Sequence, residues 1–351
     1  MIAAPSDCSQ LTQLCLTGPE VTKPRWPGWV EPDTVILPAG VGDSELTELR
    51  SSRETVERLS VTATDLPRLR GQLPEGLEYL NVRGPEVTEP RWPGRYPWDD
   101  LSVSLQGVTA DTISHLADLG RTVTLLEIYD CTDQTAGSLE PLTRCRGLLC
   151  LSVTAADLPL LRGQLLEGLR LLNVRGPEVT EPRWPGWNLW GDLSVSLQGV
   201  AADTISHLAD LGRTVKLLEI YDCPDLTAGS LEPLTRCPEL ESLTLPGGVP
   251  DAVLDSLSGW PGLKFLKLGD RQRPAETAFT AAAYTRLVKS CRALWQLYLH
   301  CTADTGRAVL TALKEADLGR RSDGRPRFIY LFVPGHVTDG DVTRHGHHGR
   351  R

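Results

Sequence analysis

The chain has 351 residues, with 36 basic against 45 acidic side chains, a net charge of −9 and 40% apolar content. That acidic balance argues against nucleic acid or an anionic membrane surface as the main partner, and no apolar run approaches the ~18 residues needed to span a bilayer. Met1 to Asp7 have no basic n-region or long apolar h-region, the nine cysteines are odd in number and scattered, and none of Asn81, Asn173 and Asn188 opens a glycosylation sequon; no secretory signal is expected, and reduced thiols in a cytoplasmic setting are.

Taken from the N-terminus, residues 1–10 are a lead-in, and an apolar-x-x-apolar-x-apolar phrase then begins at Leu11/Leu14/Leu16. It recurs loosely at Val35/Leu37, then at Val56/Leu59/Val61, Leu77/Leu80/Val82, Val103/Leu105 and Val123/Leu126/Ile128. It continues at Leu148/Leu151/Val153, Leu169/Leu172/Val174, Val195/Leu197 and Val215/Leu218/Ile220, and ends at Leu240/Leu243/Leu245, Leu263/Leu266/Leu268, Leu294/Leu297/Leu299 and Phe328/Leu331/Val333. That makes about 14 units over residues 11–336, followed by a polar tail, 337–351. Residues 56–147 form a four-unit block that is duplicated at 148–239; from Ser60 to Cys145 the two copies are identical at 73 of 86 positions. The duplication is a block of stacked units, so one solenoid is expected, not two tandem domains.

Alternation of apolar and polar residues within each phrase predicts a strand with one buried face. A single strand cannot bury that face; stacking many in parallel, each returned by a connecting segment, builds one continuous core. Two kinds of return are legible. Thr109–Gly120 and its twin Ala201–Gly212 place Ile113, Leu116 and Leu119, or their counterparts, at helical spacing, with Thr109 as N-cap candidate and Gly120 as C-cap. The later returns 275–290 and 305–318 read as fuller helices. The other kind, Gly84-Pro-Glu-Val-Thr-Glu-Pro-Arg-Trp-Pro-Gly94, recurs at 176–186 and at 18–28 with one change; three prolines make it extended.

These phrases resemble leucine-rich repeats, Leu-x-x-Leu-x-Leu-x-x-Asn/Cys-x-Leu. The units at 123 and 215, with Cys131 or Cys223 and a second cysteine at Cys145 or Cys237, are similar to the cysteine-containing subtype of F-box-associated repeat proteins. The resemblance implies an α/β solenoid: a leucine-rich-repeat horseshoe with a parallel concave sheet and mixed helical and extended convex returns. The asparagine ladder is missing, its place taken by Pro85, Val108, Cys131, Ala156, Pro177, Val200 and Cys223, which predicts less regular turns. The cysteines read as small core residues. Trp26, Trp92 and Trp184 read as structural wedges on the returns, or else as part of a Pro-x-x-Pro ligand.

No phosphate-cradling glycine loop, His-Glu-x-x-His, Gly-x-Ser-x-Gly or zinc-spaced Cys-x-x-Cys is present, so no enzyme, cofactor or metal site is expected. His115 and His207 read as solvated surface residues. On the resemblance, side chains between the ladder residues face the concave side. There Tyr79, Arg83, Glu127, Tyr129, Arg175, Glu219, Tyr221, Tyr298 and His300 are the candidate contacts for a protein partner. A short divergent loop, 95–99 against 187–191, is a second candidate. The role implied is a non-enzymatic protein-interaction scaffold, either the recognition part of a nucleotide-binding-type innate immune receptor or an adaptor. The alternative is the substrate-recognition subunit of an F-box-type ubiquitin ligase. That requires the chain to be a fragment, because only ten residues precede Leu11.

Overall fold

A computed structural model describes residues 13–15, 34–37, 39–42 and 56–332, less 72, 75, 94–99, 120, 132–138, 164–166, 180–182, 186–191, 212–214, 224, 270–278 and 321–323. The return at 18–28 with Trp26, the divergent loops, Val333 and the polar tail therefore lie outside the described residues. The chain divides into two compact units, residues 1–200 with 210–213 and residues 201–209 with 214–351.

In the first unit nine strands lie side by side in chain order: β1 (Gln13–Cys15), β2 (Thr34–Ile36), β3 (Arg58–Thr62), β4 (Tyr79–Arg83), β5 (Leu101–Gln106), β6 (Val123–Tyr129), β7 (Cys150–Thr154), β8 (Leu171–Arg175) and β9 (Leu193–Gln198). Every pair is parallel, in a register that puts Leu80 beside Val103, and Val103 beside Leu126. The second unit repeats the arrangement with β10 (Val215–Tyr221), β11 (Ser242–Leu245), β12 (Phe265–Leu268), β13 (Gln296–His300) and β14 (Phe328–Phe332). The protein is thus an α/β solenoid built on a parallel sheet, with a leucine-rich-repeat-like fold.

The apolar phrase does what its spacing predicts. Leu80, Val82, Val103, Leu105, Leu126, Ile128, Leu172 and Val174 are fully buried on one face, and Ile113, Leu116 and Leu119 from a return are buried as well. The return after β5 is a short helix, α1 (Ala110–Ser114), followed by a 3-10 turn, Leu116–Asp118; its twin, Ala202–Asp210, is entirely 3-10. Thr109 makes no side-chain cap, which fits the brevity of α1. In the second unit the helices lengthen along the chain: α2 (Ala228–Leu231), α3 (Asp251–Ser256), α4 (Ala281–Ser290) and α5 (Ala303–Glu315). Here caps do form: Thr280 Oγ1 accepts from the Ala283 amide and Thr302 Oγ1 from the Thr305 amide, each at 3.2 Å, filling donors a helix start leaves open. Asp255 grips Arg286 through both carboxylate oxygens at 3.0 and 2.9 Å, linking α3 to α4.

The last unit is registered differently from the sequence phrase. Leu297 and Leu299 lie beside Ile329 and Leu331, and Phe328 lies beside Gln296. Phe328 therefore stands on the polar face of the sheet and not at a ladder position, because period-two alternation assigns even residues of β14 to that face.

Where the asparagine ladder is missing, close backbone contact replaces it. The Gly84 amide donates to the Gln106 carbonyl at 2.7 Å, and a Cβ on Gly84 would sit 1.7 Å from the Gly107 oxygen. Gly176 and Gly199 repeat the contact, also at 1.7 Å. Only glycine permits backbones to approach this closely. Gly107 and Gly199 also take φ near 61°, a left-handed turn that re-aims the chain out of the strand.

Candidate interaction surface

The polar faces of the two units have opposite fates. In the first unit the central row reads Ser60, Asn81, Ser104, Glu127, Ser152, Asn173 and Ser196 in strict register. Every one of these side chains is fully buried. Residues 90–93 and, in the second copy, 183–185 cover them: they cross the polar face as straps, on the side away from the apolar ladder. Asn81 accepts from Ser60 Oγ at 2.9 Å and donates through Nδ2 to the Arg91 carbonyl at 2.8 Å. The Arg91 amide in turn donates to Gln106 Oε1 at 3.1 Å. The second strap repeats each bond: Ser152 to Asn173, Asn173 to the Arg183 carbonyl at 2.7 Å, and the Arg183 amide to Gln198 at 2.9 Å. Trp184 packs on the row Leu125, Cys150 and Leu171. In the first copy Arg58 lies between the Tyr79 and Trp92 rings, 4.9 and 5.7 Å from their centroids.

Five of the nine candidate residues are consequently structural in placement. Tyr79, Arg83, Glu127, Tyr129 and Arg175 are buried, and the expectation that they face solvent is corrected by the straps above them. Arg83 donates to the Leu37 carbonyl at 2.8 Å, and Arg175 to the Ile128 carbonyl at 2.7 Å and Ser152 Oγ at 2.8 Å. The Tyr129 hydroxyl donates to Glu127 Oε2 at 2.5 Å, while the guanidinium groups of Arg175 and Arg91 lie 3.8 and 4.7 Å from its ring centroid. Burial first, and then the Glu127 carboxylate, hold the Tyr129 hydroxyl well above the usual phenol range. The same burial favours loss of charge at Arg175, opposed by Tyr129 and Glu127. The cluster is a compensated buried charge group.

In the second unit the polar face is largely open, although Thr244 and His300 on it are buried. Leu217, Glu219 and Tyr221 on β10 are half-buried, and the Tyr221–Glu219 bond is 3.0 Å. Rows on the same face run Ser242, Phe265, Gln296, Phe328 and Thr244, Lys267, Tyr298, Tyr330. The rings form a ladder. Tyr298 stacks on Tyr330 at 4.6 Å with an interplanar angle of 9°, and His300 stacks on Phe332 at 4.5 Å and 13°. Below them Trp295 bridges Phe265 and Phe328 edge-on at 5.1 and 5.8 Å. Gln296 Nε2 donates to the Tyr298 hydroxyl at 2.8 Å, fixing that ring. Phe328, Tyr330 and Phe332 are all exposed. Of the sequence candidates, Tyr298 and His300 belong to this ladder, but His300 is itself buried, so the expectation that it faces solvent is corrected as well. Phe328 and Trp295 were missed because the phrase was read in another register and Trp295 precedes the strand.

Away from the sheet, a cleft of about 330 Å³ lies among Leu234, Cys237, Pro238, Leu240, Trp260 and Pro261, and its lining carries no charged side chain. Burial raises the Cys237 thiol above its ordinary value. Cys145 and Cys223 are buried, and Cys131 and Cys237 half-buried. Among the described residues no group of three or more His, Cys, Asp or Glu is placed to hold a metal ion, and no helix is long and apolar enough to cross a membrane.

No protein-family model and no curated protein matches the chain. Among solved structures, a chain of the Rad7–Elc1 complex from yeast is similar, with 16% sequence identity over 78% of this chain and 78% of that one, at a TM-score of 0.31.

Proposed function

We propose that the protein is a non-enzymatic interaction scaffold and that a protein partner binds the open sheet face of β12–β14. The observation that carries this reading is the stacked aromatic ladder: Tyr298, His300, Tyr330 and Phe332 on adjacent strands, with Phe328, Tyr330 and Phe332 exposed. Rigid rings held on a sheet give a partner contact area at little cost in conformational freedom, and exposed apolar patches of this kind mark binding surfaces. Lys267 is the one charged side chain on this face of β11–β14. Of the groups the sequence offers for acid–base chemistry, Glu127 and Tyr129 lie beneath a strap and His300 is buried and stacked on Phe332, which supports the non-enzymatic reading; Glu219 and Tyr221 are half-buried and hydrogen-bonded to each other. At finer grain, the open face suits the recognition part of an innate immune receptor. An F-box-type substrate receptor is the second reading, favoured by the cysteine-type units, whose Cys145 and Cys223 occupy buried positions.

The test is affinity capture with the intact protein against a Tyr298→Ala/Lys267→Ala variant, with folding checked by circular dichroism. Loss of specific partners from the variant is expected. An unchanged set of partners overturns the reading. Copurification of ubiquitin-ligase core subunits would select the second finer role over the first.

A further inference from the structure

The end strand β14 reads Phe328-Ile329-Tyr330-Leu331-Phe332. The Phe328 amide donates to the Trp295 carbonyl and the Phe332 carbonyl accepts from the Cys301 amide. Because backbone groups alternate sides along a strand, the even residues bond to β13. The amides and carbonyls of Ile329 and Leu331 therefore point away from it, and among the described residues no strand pairs with that edge. Sheet edges are normally blunted by a charge, a proline or a bulge; none occurs within β14, whose five side chains are all apolar or aromatic.

The strand is also close to a palindrome about Tyr330. Run antiparallel against itself, it sets Tyr330 opposite Tyr330, each Phe328 opposite a Phe332, and each Ile329 opposite a Leu331. The outward groups of Ile329 and Leu331 then fall in the hydrogen-bonded pairs, and the Tyr330 pair falls in the close, non-hydrogen-bonded position. Aromatic side chains from both strands share one face, and Ile and Leu share the other. We propose that β14 pairs with β14 of a second copy of this chain, antiparallel, across a two-fold axis at Tyr330. A symmetric contact of this kind closes on itself and uses the same surface from both copies. It uses the strand edge, independently of whether a different protein binds the sheet face, and it would join the two aromatic faces into one.

Sedimentation velocity of the full chain over a wide concentration range tests the proposal. A monomer–dimer equilibrium is expected for the native protein. Ile329→Pro removes an outward amide that β13 does not use, and should give monomer. Tyr330→Lys and Tyr330→Glu should each be monomeric alone, since like charges then face each other across the axis, and an equimolar mixture of the two should dimerise. That rescue also shows the variants are folded. A native protein that stays monomeric throughout, a Tyr330→Lys protein that still dimerises, or a mixture that stays monomeric overturns the proposal. Tyr298→Ala/Lys267→Ala should dimerise normally, so failure of edge pairing is separable from failure of partner binding on the face.

Discussion

Leu-Leu-Glu-Ile-Tyr occurs twice, at 125–129 and at 217–221, and the two copies live in different surroundings. In the first, Glu127 and Tyr129 are buried, joined at 2.5 Å and flanked by two arginines. In the second, Glu219 and Tyr221 are half-buried and joined at 3.0 Å. The contrast extends to whole strands: β4 and β8 are buried at every position, whereas β12 alternates between half-buried and buried residues, β13 does so up to His300, which is buried, and β14 alternates between exposed and half-buried ones. A strand's sequence specifies which face carries the core. Whether the other face meets solvent depends on what the next connection lays across it, and here proline-rich straps close one face while helical returns leave the other free.

The largest effect on this contrast should come from the glycine contacts that let each strap leave its strand. Gly176→Val places a side chain into the Gly199 carbonyl, whose backbone cannot swing aside. A loss of about 3 kcal/mol in urea unfolding is expected, as for other overpacked sites. Trp184→Ala should cost about 2 kcal/mol, less than a fully buried tryptophan because Trp184 is half-buried. It should also open the Leu125–Cys150–Leu171 row, so that Cys150 becomes alkylated by iodoacetamide while the native thiol resists, as mass spectrometry would register.

A third effect is confined to alkaline solution. Burial pushes the Cys150 thiol up to about 12, with Glu127 adding to the shift. The unfolded chain then ionises first, so this group's contribution is complete below its unfolded value near ~9 and is lost as pH rises toward 12. Cys150→Ala should flatten that part of the stability profile measured by denaturation at stepped pH. The smallest effect belongs to the open face. Tyr298→Ala removes a ring stacked on both Tyr330 and Phe332 from a half-buried site and should cost only about 1 kcal/mol in unfolding, while partner capture falls sharply. A stability loss as large as that of Trp184→Ala would place Tyr298 in the structural class instead.

Much of the solenoid was legible. The ladder residues, the parallel order and the helical spacing of Ile113, Leu116 and Leu119 all follow from periodicity, which is local. The straps were not, because a Pro-Arg-Trp-Pro segment is extended wherever it lies, and strand alternation does not say which side it crosses. One signal was available: the polar face of the first unit carries Ser60, Asn81, Ser104, Ser152, Asn173 and Ser196 along its centre. Small hydrogen-bonding residues in a row suit a face pressed against backbone, whereas Tyr298, Tyr330 and Phe332 suit one that is not. In β14 the slip came from reading Phe328 as a ladder residue, an error that apolar composition on both faces invites.

Hydroxyl-radical footprinting of the intact protein, with oxidation mapped by mass spectrometry, tests the covered-versus-open distinction most directly. Tyr330, Phe332 and Phe328 should oxidise readily, Tyr298 to an intermediate extent, and Tyr79 and Tyr129 hardly at all. Oxidation of Tyr129 at a rate comparable to Tyr330 would mean that the straps do not cover the first unit's face, and would contradict the account.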